Sequence, residues 1–162
     1  SINSCYHSGI LTPEDNKKAF EWHLNSAVYG NSIGQLNVGH CYQKGIGVSK
    51  DNKKAFEWYL KSAGSGNSDG QLNVGNCYQN GIGVSKDKEK AFDWYLKSAK
   101  SENSNRKLSV GYCYQNGIGV PRDEKRAFEW YMKSASNEHL DEQSNNEIIF
   151  TPAAFSKNNI KK

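Results

Sequence analysis

Apolar residues fall into a recurring pattern of two short helical blocks joined by glycine-rich loops. From about Ser32 to Lys44, Leu36, Gly39 and Tyr42/Gln43 lie at helical spacing, with Val38 and Cys41 beside them. This block predicts a first helix, helix A. Gly45 follows as a left-handed C-cap. Gly45-Ile46-Gly47-Val48 then turns the chain sharply and tucks Ile46 and Val48 between helices. Asp51 fits the N-cap of a second helix, helix B, from about Asn52 to Ala63. Ala55, Phe56, Tyr59, Leu60 and Ala63 mark its buried face, and Lys53, Glu57 and Lys61 form a solvated i, i+4 row.

The pattern repeats. Cys5, Cys41, Cys77 and Cys113 stand 36 residues apart, as do Trp22, Trp58, Trp94 and Trp130, and Gly9, Gly45, Gly81 and Gly117. Residues 37–72 match residues 73–108 at 26 of 36 positions, which marks duplication. Asp15, Asp87 and Asp123 are the expected equivalents of the Asp51 cap, and Pro13 and Pro121 share one phase just ahead of it. Gly39, Gly75 and Gly111 recur in mid-helix, where glycine costs about 1 kcal/mol relative to alanine. A bulky helix B residue pressing on this position, Trp58 by expectation, would account for the recurrence. The repeated tryptophans read as core.

These residues resemble the Sel1-like repeat, a relative of the tetratricopeptide repeat. The resemblance rests on Val38-Gly39, Tyr42, Gly45, Gly47, Val48, Asp51, Lys54-Ala55, Trp58-Tyr59, Lys61 and Ser62-Ala63, and spans about residues 1–136. It implies an all-α fold, an α-α solenoid wound as a right-handed superhelix from about four helix pairs of 36 residues. The expected divisions are a partial first repeat at 1–30, full repeats at 31–66, 67–102 and 103–136, and a non-repeat tail at 137–162. Ser1–His7 match the second half of a helix A. Asn3, Leu11, Thr12 and His23 depart from the repeat at its glycine, glycine, valine and tyrosine positions. The first repeat is therefore degenerate or cut, and the chain reads as a fragment of a longer protein. In the tail, Leu140 and Ile148-Ile149-Phe150 are placed to cover the last repeat as a short capping helix. The stretch from Thr151 reads as frayed.

Composition narrows the function. With Gly counted as apolar and Tyr left out, about 40% of the 162 residues are apolar, below the usual 45–50% and suited to a thin fold. The formal charge is +4, but the acidic and basic residues are interspersed and only three are Arg, so nucleic acid is not an expected partner. No apolar stretch approaches 18 residues, so no membrane insertion is expected. No signal peptide is visible. None of the 18 Asn sits in an N-x-Ser/Thr acceptor. That and unpaired thiols point to a cytoplasmic location.

Catalytic and cofactor readings fare poorly. Stacked helices lie about 10 Å apart, whereas a disulfide needs Cα atoms within about 7 Å. Equivalent cysteines should thus remain free and pack as small hydrophobes. His7, His23, His40 and His139 show no zinc spacing. Gly45-Ile46-Gly47 lacks the strand and Lys-Ser/Thr of a phosphate loop. No catalytic residues, cofactor or metal are assigned.

What remains is the outer face of helix A. Asn37, His40, Gln43 and Lys44, then Asn73, Asn76, Gln79 and Asn80, then Ser109, Tyr112, Gln115 and Asn116 are polar or vary between repeats. In tetratricopeptide-like solenoids helix A lines the concave groove, so the resemblance implies a peptide-binding wall. Amides suit it, because each donates to and accepts from an extended backbone. Tyr112 is the expected anchor. The expected role is a non-catalytic scaffold or adaptor for other proteins or peptides, with self-association possible through exposed repeat ends. One alternative is a regulatory segment of a larger signalling protein, fused to a protein kinase or serving as a chitin synthase regulator. Another is a cysteine-rich hydrolase, for which Ser49 to Asn52 does not supply the needed Ser-x-x-Lys.

Overall fold

Asparagine side chains start the first helix of each pair, and left-handed glycines end it. The computed structural model describes residues 12–101 and 103–141. The half-helix expected at Ser1–His7, with Cys5 and Gly9, lies outside these residues, as does the capping segment at 142–162. Among the described residues the helices are α1 Pro13–Val28, α2 Ser32–Lys44, α3 Asn52–Gly64, α4 Ser68–Asn80, α5 Lys88–Ser98, α6 Ser104–Asn116 and α7 Glu124–Asp141. They contain no strand. The last helix continues through Asp141, past the expected start of the tail at 137.

Asn31, Asn67 and Asn103 cap α2, α4 and α6 by accepting hydrogen bonds from free backbone N–H groups of the first turn. Gly45, Gly81 and Gly117 close the same helices at φ of 66–69°. Asp51 caps α3 by accepting from Lys54 N, and Asp123 accepts from Arg126 N in the same way. Asp15 does not follow them. Thr12 is the cap of α1, Pro13 takes its first turn, and Asp15 closes a capping box by accepting from Thr12 N and Oγ1. The helix starts early because the first repeat has threonine and proline in this phase, and proline is suited to a first helical turn.

The chain divides into two compact units, Ser1–Asp87 and Lys88–Lys162. In the first, α1 to α4 pack each on the next, and α2 also meets α4. Its core holds Phe20, Ala27, Val38 and Cys41, with Leu24, Tyr42, Ile46, Val48 and Trp58 against it. In the second, α6 packs between α5 and α7. Phe20 and Tyr42, Phe56 and Tyr78, and Phe92 and Tyr114 meet edge to face at 5.4–5.5 Å.

The mid-helix glycine receives tyrosine, not tryptophan. A Cβ on Gly39 would stand 2.5 Å from Tyr59 Cε1, and one on Gly111 would stand 2.6 Å from Tyr131 Cε1. Trp58 is only half-buried, and Lys61 Nζ lies 4.0 Å over its ring. Lys97 over Trp94 and Lys133 over Trp130 repeat the arrangement. Trp22, with Asn25 at the lysine position, is 59% exposed. The tryptophan stripe is thus a boundary layer, not the core. Ser62 is fully buried and donates its hydroxyl to Ser32 O at 2.8 Å, as Ser134 does to Ser104 O at 2.9 Å.

The second loop glycines make the contact between pairs. A Cβ on Gly47 would stand 2.2 Å from Asn16 O, one on Gly83 2.0 Å from Asn52 O, and one on Gly119 2.0 Å from Lys88 O. Each adopts φ of 68–69°. Only glycine permits both that backbone angle and that approach.

Candidate functional site

Several polar positions of α2, α4 and α6 are held by hydrogen bonds within the fold, and some of these also stand at the surface. Gln43 Oε1 accepts from the buried Tyr59 hydroxyl at 2.5 Å, and Gln115 Oε1 accepts from Tyr131 at 2.6 Å. These amides satisfy phenols whose rings fill the space over glycine. Asn37 Nδ2 lies 3.4 Å from His23 Nδ1 of α1. Asn73, Asn80 and Asn116 each donate to the carbonyl four residues back in their own helix, at 2.8–3.0 Å. Asn76 and Gln79 are half-buried on α4, and Ser109 is half-buried on α6.

The exposed members are Lys44 and Asn80 in the first unit and Tyr112, Gln115 and Asn116 in the second. Tyr112 is 51% exposed, a large aromatic side chain open to solvent. His40 is half-buried, edge-on to the Tyr59 ring at 5.4 Å. Burial and then the Lys44 ammonium hold its imidazole below the ordinary value, against a smaller opposing effect of Asp69. Of these candidate positions, the exposed ones are amides on α4 and α6, a tyrosine on α6 and the Lys44 cation on α2.

Nothing reactive gathers there. Cys41, Cys77 and Cys113 are buried and form no disulfide. Burial pushes the Cys77 thiol up to about 11 and the Cys113 thiol up to about 12, which keeps both protonated and inert at neutral pH. The described residues contain no group of three or more His, Cys, Asp or Glu able to hold a metal ion. No described helix is long and apolar enough to cross a membrane.

The paired helices, the glycine-closed first helix and the 36-residue period recur in a known family. The Sel1 repeat matches residues 4–27, 32–67, 68–103 and 104–139. The chain belongs to the Sel1 repeat family. Its fold is accordingly an all-α repeat solenoid, and Sel1 repeats generally mediate protein–protein interaction. A search of curated proteins returns no match. Among solved structures, a Sel1 repeat protein from Oxalobacter formigenes is 34% identical at a TM-score of 0.72, over 75% of this chain and 50% of its own. The antigen c5321 of uropathogenic Escherichia coli, described as protective and displaying an SLR fold, is 34% identical at a TM-score of 0.71. That match covers 74% of this chain and 26% of the antigen. Cysteine rich protein B of Helicobacter pylori is 27% identical at a TM-score of 0.60, over 80% of this chain and 92% of its own. This Sel1 chain therefore spans half or less of the first two.

The asparagine caps of the first helices escaped sequence reasoning, although Asn31, Asn67 and Asn103 recur at the period of the repeat. So did the buried serines and the Gln–Tyr bonds, because a polar residue at the edge of a helical face carries no sign of which neighbour it meets.

Proposed function

We propose that this Sel1 repeat chain is a non-catalytic scaffold that holds an extended segment of a partner protein against the exposed faces of its first helices. The observation that carries this reading is Tyr112. It stands half-exposed on α6 beside the exposed amide of Asn116, while the Cys77 and Cys113 thiols are buried and protonated. An exposed tyrosine among amides supplies apolar area and backbone hydrogen bonding at once. Lys44 and Asn80 play the matching part on α2 and α4. Gln43 and Gln115 hold the tyrosines that set the helix positions. The burial of Cys41, Cys77 and Cys113 outside any disulfide supports a cytoplasmic setting.

Affinity capture from the source lysate followed by mass spectrometry tests this reading. A variant with Lys44, Asn80, Tyr112 and Asn116 changed to Ala runs beside the wild type, with retained helix checked by circular dichroism. A protein captured by the wild type and lost in the variant supports the assignment. Equal capture by both removes these faces from it.

A further inference from the structure

The turn from α1 into α2 departs from the surface chemistry of the two turns that follow it in the repeat. Val28, Tyr29 and Ile33 are 69%, 85% and 62% exposed. One repeat later the same positions are Gly64, Ser65 and Asp69, and two repeats later Lys100, Ser101 and Asn105. Gly64, Ser65 and Asp69 are exposed although a helix pair precedes theirs, so this turn faces solvent one repeat later too. Three apolar side chains at a solvent-facing turn are not explained by packing. Exposed apolar patches of this kind mark interaction sites.

A second departure adjoins the first. The second helices α3, α5 and α7 each carry an acid followed four residues later by a lysine: Glu57 and Lys61, Asp93 and Lys97, Glu129 and Lys133. That lysine sits over the repeat's tryptophan at 4.0, 4.2 and 4.6 Å. In α1 the acid is Glu21 and the tryptophan is Trp22, but the lysine is Asn25. Glu21 is exposed, and Trp22 is the most exposed of the four tryptophans. Glu21, Leu24, Asn25, Val28 and Tyr29 line an open hollow of about 370 Å³.

We infer that this hollow is a docking site for a short peptide segment carrying a Lys or Arg next to a bulky apolar residue. The apolar side chain enters between Leu24, Val28 and Tyr29. The cation takes the place that Lys61 holds one repeat later, against the Glu21 carboxylate and the face of Trp22. The other three repeats supply the template for that cation within the same chain. Size favours a short segment over a second copy. A stable interface covers about 800 Å² on each partner. A single aromatic side chain accounts for about 150–250 Å², so one turn and one hollow fall short of that requirement. This site is separate from the faces assigned above and stands whether or not they bind.

Selection of displayed random peptides on the purified chain tests it, followed by fluorescence polarisation of the synthetic winners. Recovered peptides should place Lys or Arg beside Leu, Ile, Phe or Met. Three changes each should weaken their binding by about tenfold or more: Glu21→Gln, Asn25→Lys, and the triple change Val28→Gly, Tyr29→Ser, Ile33→Asp. The last two install residues that the chain already uses at these positions, so folding is retained. The Tyr112→Ala variant should bind the same peptides unchanged. Winners without a basic residue, binding indifferent to the triple change, or no winners at all would overturn the assignment. So would a dimer in sedimentation equilibrium that the triple change dissolves, which would give the patch to a second copy.

Discussion

The ring of Tyr59 lies directly on the backbone of Gly39, with no room for a methyl group between them. The hydroxyl of the same ring reaches Gln43, four residues further along α2. One aromatic side chain thus fixes both how closely α2 and α3 approach and how they are registered. Tyr131 does the same for α6 and α7 through Gly111 and Gln115.

Gly39→Ala should therefore destabilise the fold, against the ordinary helix preference for alanine. Overpacking of this kind costs about 1–3 kcal/mol. Gly64→Ala is the matched control. It stands at the end of α3 with nothing within 4 Å of an added Cβ, and should gain about 0.5 kcal/mol. Urea denaturation of the two variants beside the wild type measures the contrast. Equal effects of one sign would remove the Tyr59 contact as the reason for the glycine.

Cys41, Cys77 and Cys113 should react slowly with Ellman's reagent at about pH 8 in the folded protein and rapidly in denaturant. Burial holds the Cys77 and Cys113 thiols near 11 and 12, so almost no thiolate exists at that pH. Fast reaction in the native state would contradict their burial.

Stability should fall on the acid side of neutrality. Burial holds the His23 imidazole below its ordinary value of 6.5, and burial with Lys44 does the same at His40. In the unfolded chain both take up protons near 6.5, while the folded chain resists until the pH is lower. The unfolded state therefore binds more protons across that window, and unfolding becomes easier as pH drops through it. Above it both forms are neutral and the full stability is present. Denaturation curves on either side of the window, with His23→Gln flattening the dependence, check the sign. Imidazole shifts followed by NMR should give midpoints below 6.5 for both residues.

Much of this architecture was legible because its punctuation is chemical. Gly45 and Asp51 mark helix ends through a backbone angle and a side-chain acceptor, and the helix bounds at Ser32, Lys44 and Asn52 agree with that reading. The facing of helix B was less legible. Trp58 and Tyr59 are adjacent aromatics, and periodicity alone does not say which one points at α2. The charged neighbour decides it, since Lys61 needs solvent and keeps Trp58 at the boundary. In the candidate site, position along the helix identified a polar face but not the bonds behind it. Gln43 and Lys44 are neighbours in sequence, yet one is bound to a buried phenol and the other is exposed.

Gly47, Gly83 and Gly119 each rest on main-chain atoms 31 residues earlier, at Asn16, Asn52 and Lys88, in the first turns of α1, α3 and α5. The spacing between successive pairs is thereby written in backbone rather than in side chains. A copied unit carries its own fitting and needs no matching change in its neighbour. Surface residues such as Asn25, Val28 and Tyr29 can then diverge after each duplication without disturbing the stack. New recognition chemistry arises on one unit while the others keep the geometry.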